Sequence, residues 1–307
     1  MAGTAGDVLG AYLRAQATAF LRALRVHEES GANGSDSAEG TEAARGLRGA
    51  ARRISGSLAT FRGVTDSAWA DGLRTELVWL SSTLADEHAY AARLRRLMDA
   101  LHRLSGTPEL PAPRGGTAGA LTVGSARAGA LLERQLTLAR TRAHSATLQA
   151  LGSSRFHAVA DAVAVLASEV PLDAVAARGR VDEVLIPLAA VAETRLSAAV
   201  AALPLPAGTP YSPHEDGAWH EVRRLLRVHR YAREALGEDV TRLTAAGHAL
   251  DRHRDAAEAA TASATAARTP RIAPATAYAL GVLHADQRHE VESARTTFQD
   301  LWQPAPV

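Results

Sequence analysis

Gly46-Leu47-Arg48-Gly49-Ala50-Ala51-Arg52-Arg53-Ile54-Ser55-Gly56-Ser57-Leu58-Ala59-Thr60-Phe61-Arg62 carries two messages at once. At about 100° per residue, Leu47, Ala51, Ile54, Leu58 and Phe61 fall on one apolar arc of a helix, and Arg45, Arg48 and Arg52 fall on the neighbouring arc. A second stretch repeats the pattern far downstream: His220-Glu221-Val222-Arg223-Arg224-Leu225-Leu226-Arg227-Val228-His229-Arg230-Tyr231-Ala232-Arg233-Glu234. There Val222, Leu225, Leu226, Ala232 and Leu236 gather on one side. His220, Arg223, Arg224, Arg227, Arg230 and Tyr231 lie opposite. Each helix is built to dock on a core while presenting a strip of guanidinium groups. Such a strip repels itself, so it calls for an anion.

The rest of the chain reads as helix almost throughout. Of its 307 residues, 47% are hydrophobic and only 4% aromatic, with Ala and Leu prominent, which favours helices over sheet. Helical periodicity marks residues 6–26, 41–63, 67–84, 87–104, 124–151, 154–168, 181–203, 214–236, 238–267 and 275–302. No segment alternates β-branched residues between turns. Glu28–Gly40 reads as a loop, Pro204–Pro213 as a break, and the Gly/Pro-rich segment 105–123 as a flexible linker between a first helical half, 8–104, and a second, 124–302. The halves look like distant copies. An offset of 175 positions sets Arg45 on His220, Arg48 on Arg223 and Arg52 on Arg227.

Net charge is +1, so the chain as a whole is not a generic nucleic-acid binder, yet residues 43–62 hold five arginines and no acid. Lysine is absent, so the permanent side-chain cations are guanidinium groups, which fork onto phosphate oxygens. That absence also rules out a phosphate-binding P-loop, which needs a lysine. With no cysteine there are no disulfides or thiolate sites. His214, Glu215, Asp216 and His220 offer metal-ligand atoms but lack the spacing of a zinc helix, and no nucleophile elbow is present. No metal or cofactor is expected. Asp7, Arg14 and Arg22 interrupt the apolar N-terminal stretch, which argues for an amphipathic helix over a signal peptide. Runs such as Ala158–Val170 are too short to span a membrane, so a cytoplasmic protein without a membrane partner is expected.

These residues carry a resemblance to the CHAD family, a helical domain named for its histidines. The segment His220 to Glu234 is similar to the family's His-x-x-Arg…Arg-Tyr-x-x-Glu helix. His253-Arg254-Asp255-Ala256 is similar to its His-x-Asp-Ala segment, and Gly281-Val282-Leu283-His284 through Trp302 to family C-termini. In the first half, Leu47–Phe61 and Trp69–Leu80 resemble the equivalent helices. Arg45 stands where the signature histidine belongs, and His88-Ala89 where an Arg-Asp pair is usual. The resemblance spans residues 8–302 as one domain of two halves. It implies an all-α fold of two pseudo-twofold-related, antiparallel, four-helix-type bundles around a basic central cavity.

The implied function is non-enzymatic binding of inorganic polyphosphate, with association with polyphosphate granules. On that reading Arg45, Arg48, Arg52, Arg53, His220, Arg223, Arg224, Arg227 and Arg230 contact phosphate, with Tyr231 and His253 at the wall. Near neutral pH the histidines would add charge once an anion is bound. Nucleic acid enters only as a competing polyanion, and oligomeric state is left open. Two other readings stay open: a helical scaffold or protein-interaction module whose anion site has decayed, and a metal-dependent phosphohydrolase.

Overall fold

In the computed structural model the described residues are 3–32, 38–106, 117–203 and 212–302. The fold is all-α. Nine α-helices occur among the described residues: α1 (Ala5–Ala32), α2 (Ala38–Thr60), α3 (Ser67–Gly106), α4 (Thr117–Leu151), α5 (Ser154–Ser168), α6 (Val181–Ala201), α7 (Asp216–Ala235), α8 (Thr241–Ala267) and α9 (Pro274–Trp302). Among the described residues, extended pairing is limited to two isolated bridges, Thr4 with Arg180 and Thr65 with Leu172.

Apolar residues at helical spacing form the buried sides, and for α2 they are the arc read from the sequence. Leu9, Leu13, Ala17, Phe20 and Leu24 of α1 face inward at helical spacing, and so do Leu47, Ala51, Ile54 and Leu58 of α2, with Phe61 following. Local chemistry closes several helices. The Ser153 hydroxyl accepts from the Phe156 N–H at 3.2 Å and caps α5. At the end of α7 the Gly237 N–H donates to the Glu234 carbonyl and the Glu238 N–H to the Arg233 carbonyl, both at 3.1 Å. Gly237 has φ +72°, the left-handed conformation this closing motif requires and that glycine adopts without a Cβ clash.

Three boundaries differ from the sequence reading. Residues 67–84 and 87–104 form one 40-residue helix, α3, because Leu84-Ala85-Asp86-Glu87-His88 contains neither Gly nor Pro. Helix also covers both ends of the expected 105–123 linker: α3 runs to Gly106 and α4 starts at Thr117, and the prolines of the segment, Pro108, Pro111 and Pro113, all fall between them. Residues 107–116 lie outside the described residues. The Glu28–Gly40 loop is likewise shortened from both sides, by α1 to Ala32 and α2 from Ala38.

A separate finding concerns α6. Its 21 residues make it the one helix among the described residues long and apolar enough to cross a membrane by length and composition, a longer apolar run than Ala158–Val170. Leu185, Ala189, Ala192 and Leu196 form its buried side, while Ile186 and Val191 are about half exposed.

The chain divides into two compact units that do not follow the two sequence halves. Unit 1 contains residues up to Ala85, Ser145–Ala202 and Arg224–Thr244; unit 2 contains Asp86–His144, Leu203–Arg223 and residues from Ala245. Unit 1 is centred on a cluster from α1, α2, the first part of α3, α5 and α6, with Ala232 and Ala235 of α7. Unit 2 has its own cluster, including Leu97, Leu101, Leu132, Leu136, Leu280 and Leu283.

Candidate anion-binding site

Most of the arginines singled out by the sequence lie in unit 1, on α2 and on the C-terminal part of α7. The apolar arc of α2 is fully buried, so its arginines are left to the flanks. Arg45 is exposed and pairs with Glu42 one turn earlier. Arg48, Arg52 and Arg53 are half-buried. The Arg52 Nε–H donates to the Arg48 carbonyl at 3.2 Å, which holds its guanidinium along the helix.

The two basic helices meet where Tyr231 lies against Gly56. A Cβ built on Gly56 would stand 2.7 Å from Cδ2 of Tyr231, so the glycine is what lets the ring in. The 175-position offset that aligns Arg48 with Arg223 also aligns Gly56 with Tyr231. Tyr231 is therefore buried, at 4% exposure, and does not stand on the open side of the strip as its helical position suggests. The helical wheel could not register that the neighbouring helix presents a gap at this point.

Around Tyr231 a single carboxylate serves two guanidiniums. The Arg53 Nε–H donates to Oε2 of Glu234 at 2.8 Å, and Arg230 Nε lies 3.2 Å from Oε1. The guanidinium carbons of Arg53 and Arg230 stand 5.5 Å and 5.1 Å from the Tyr231 ring centroid, within cation–π range. Tyr12, reaching in from α1, donates its hydroxyl to Oε2 of Glu234 at 3.2 Å. Burial, and secondly the charge of Glu234, hold the Tyr12 phenol above its ordinary pKa, so it stays a donor. Two cations on one carboxylate leave a net charge of about +1 in a partly desolvated spot. The Nη groups of Arg53 and Arg230 have no acceptor among the described residues. Arg224 and Arg227 lie on the same part of α7.

His220, Arg223 and His253 belong to unit 2, where the surroundings are mixed in charge. Arg223 Nε is held by Asp251 at 2.5 Å. His253, 1% exposed, stacks on Trp219 with ring centroids 5.4 Å apart, and its Nε2 lies 3.3 Å from both Asp216 Oδ1 and Arg295 Nε. Arg295 in turn reaches Glu215 at 2.8 Å. His220 is pushed below its ordinary pKa, first by burial and then by His253, with Arg223 adding to the effect and Asp216 and Glu258 opposing it. Without an anion its ring therefore favours the neutral form near pH 7. A cavity of about 340 Å³ opens beside His220, with Asp216 and Glu258 in its wall and Arg93 paired to Glu258. Those carboxylates oppose an anion. No group of three or more His, Asp or Glu side chains among the described residues is placed to hold a metal ion.

Two residues of the group around Tyr231, Glu234 and Tyr12, were absent from the sequence reading of the site. Glu234 had a local signal, four residues after Arg230 on one helix face. Tyr12 had none, because it meets Glu234 across 222 positions of chain.

Comparison with known proteins supplies an independent line. The CHAD domain family model matches residues 15–262. PptA from Streptomyces chartreusis is 59% identical, covers 98% of this chain and 100% of its own, and superposes with a TM-score of 0.83. The crystal structure of the CHAD domain from the plant Ricinus communis, 19% identical, covers 100% of this chain and 94% of its own with a TM-score of 0.64, a likeness of fold. Nothing among curated proteins matches the chain.

Proposed function

The chain belongs to the CHAD family, and on that premise we propose that it binds inorganic polyphosphate, without catalysis, through the arginines of α2 and α7. The observation that carries this reading is the Arg53–Glu234–Arg230 group: two guanidiniums share one carboxylate and keep their Nη N–H groups for an outside acceptor. Arg48 and Arg52 on α2, and Arg224 and Arg227 on α7, extend the positive field, and α2 carries no acid between Ala43 and Thr60. One turn of helix advances about 5.4 Å, so arginines one turn apart suit an anion that repeats along a chain. A guanidinium holds phosphate by forked charge-assisted hydrogen bonds but neither abstracts a proton nor attacks near neutral pH. Binding, rather than bond breaking, is what these groups do well. In the cell this reading places the protein in the cytoplasm with polyphosphate granules, which a fluorescent fusion imaged beside stained granules would reveal.

Calorimetric titration with long-chain polyphosphate at about 0.15 M salt, beside single-stranded DNA and heparin, tests the proposal. Tight binding that prefers polyphosphate is expected, and replacing both Arg53 and Arg230 with Gln should abolish the preference. Equal weak binding of all three polyanions would overturn it in favour of a scaffold whose anion site has decayed.

A further inference from the structure

We infer that Glu234 and Tyr12 are positioning residues of the anion site: the carboxylate accepts a hydrogen bond from the Nε edge of Arg53 and ion-pairs with the Nε edge of Arg230, and the tyrosine holds the carboxylate. This rests on the polyphosphate reading and deepens it. A guanidinium offers two edges for a carboxylate or phosphate, one through Nε and one Nη, the other through both Nη nitrogens. In Arg53 and Arg230 it is Nε that faces Glu234, at 2.8 and 3.2 Å, so the Nη edge stays open in each. The Tyr231 ring, with both guanidinium carbons within 5.5 Å of its centroid, restricts the two planes further. Glu234 side-chain exposure is only 16%, and Tyr12 occupies Oε2 from the α1 side, so the carboxylate cannot swing out to solvent.

A free arginine gives up rotamer freedom when it grips an anion, whereas these two have given it up on folding. The negative charge of Glu234 therefore favours binding of a negatively charged ligand. A site that works by Coulomb attraction alone would do the opposite and bind more tightly once that charge is gone.

Glu234→Gln, Glu234→Asp and Tyr12→Phe, each checked for an unchanged helical spectrum and melting temperature, would be titrated with long-chain polyphosphate at two salt concentrations. We expect Glu234→Gln to bind roughly tenfold more weakly, on the order of two immobilised side chains. Its salt dependence should be unchanged, and Glu234→Asp should recover part of the loss. Tyr12→Phe, which keeps every charge and the ring, should lose roughly threefold in the same direction. In a spectrum of arginine side chains, the slowly exchanging Nε–H signal of Arg53 should vanish in Glu234→Gln. Equal or tighter binding by Glu234→Gln, with a steeper salt dependence, would make Glu234 a competitor and overturn the inference. If Glu234→Gln does not fold, undiminished binding by Tyr12→Phe overturns it. A wild-type protein that binds no polyanion would overturn both this and the polyphosphate reading. A wild-type protein that binds while both variants bind as well would overturn this inference alone.

Discussion

At position 56 the absence of a side chain matters more than any group that could stand there. The Tyr231 ring fills the space a Cβ would need, so Gly56→Ala forces the ring aside or the helices apart. Overpacking of this kind costs about 1–3 kcal/mol, measurable by chemical denaturation, and should weaken polyphosphate binding as well, since Arg53 and Arg230 stand over that ring.

His229, also on α7, is 5% exposed, and burial pushes its pKa below the ordinary value near 6.5; Arg233 adds to the shift, while Glu193 and Glu238 oppose it. His220 shifts in the same direction. The unfolded chain then binds more protons than the folded one at mildly acidic pH, so stability rises with pH. It is fully present above about 6.5 and is lost as pH falls through that value towards the lower folded one. The melting temperature should accordingly drop between about pH 7 and 5. His229→Gln should flatten the dependence; an unaltered slope would mean that the buried ring does not resist protonation.

Among the elements, α2 and α7 were legible as helices with one apolar and one basic side because periodicity is local. Leu47, Ala51, Ile54 and Leu58 are buried as read, and so are Val222, Leu226 and Ala232. α3 misled for an equally local reason. Its buried leucines and alanines run Ala70, Leu73, Leu77, Leu80, Leu84, then resume at Leu97, Ala100 and Leu101, with Tyr90 and Leu94 beside them. At 100° per residue the second set lies about 130° round the helix from the first. A stripe that turns reads as one helix ending and another starting. The backbone has no such break, because the first stripe is buried in unit 1 and the second in unit 2. Asp86→Pro would be tolerated at a junction between helices but should cost about 3 kcal/mol or more in the middle of one. Denaturant titration of that variant separates the two cases.

For the whole molecule, a net charge of +1 conceals an uneven distribution. The arginines of α2 and of the later part of α7 share unit 1, while the carboxylates Asp216, Asp251 and Glu258 lie in unit 2 around His220 and Arg223. Polyphosphate affinity should fall with the logarithm of salt concentration, with a slope near 0.7 per phosphate neutralised on a single-stranded polyanion. Replacing Arg53 and Arg230 with Gln should lower that slope by about 1.4. A slope unaffected by the double substitution would place the contacts elsewhere on the chain.

The sequence by itself determined that the chain is helical, that α2 and α7 each bury an apolar arc, and that both carry arginine strips. All three follow from interactions within a few turns of backbone. Only the tertiary structure decided which anion each arginine already holds. Arg53 meets Glu234 across 181 positions and Glu234 meets Tyr12 across 222, contacts that no helical period encodes. For the same reason His220 and His253, placed by the sequence beside arginines, turn out to face Asp216 and one another. Charge on a helix face is a local property; the partner that neutralises it is chosen by the packing of distant segments.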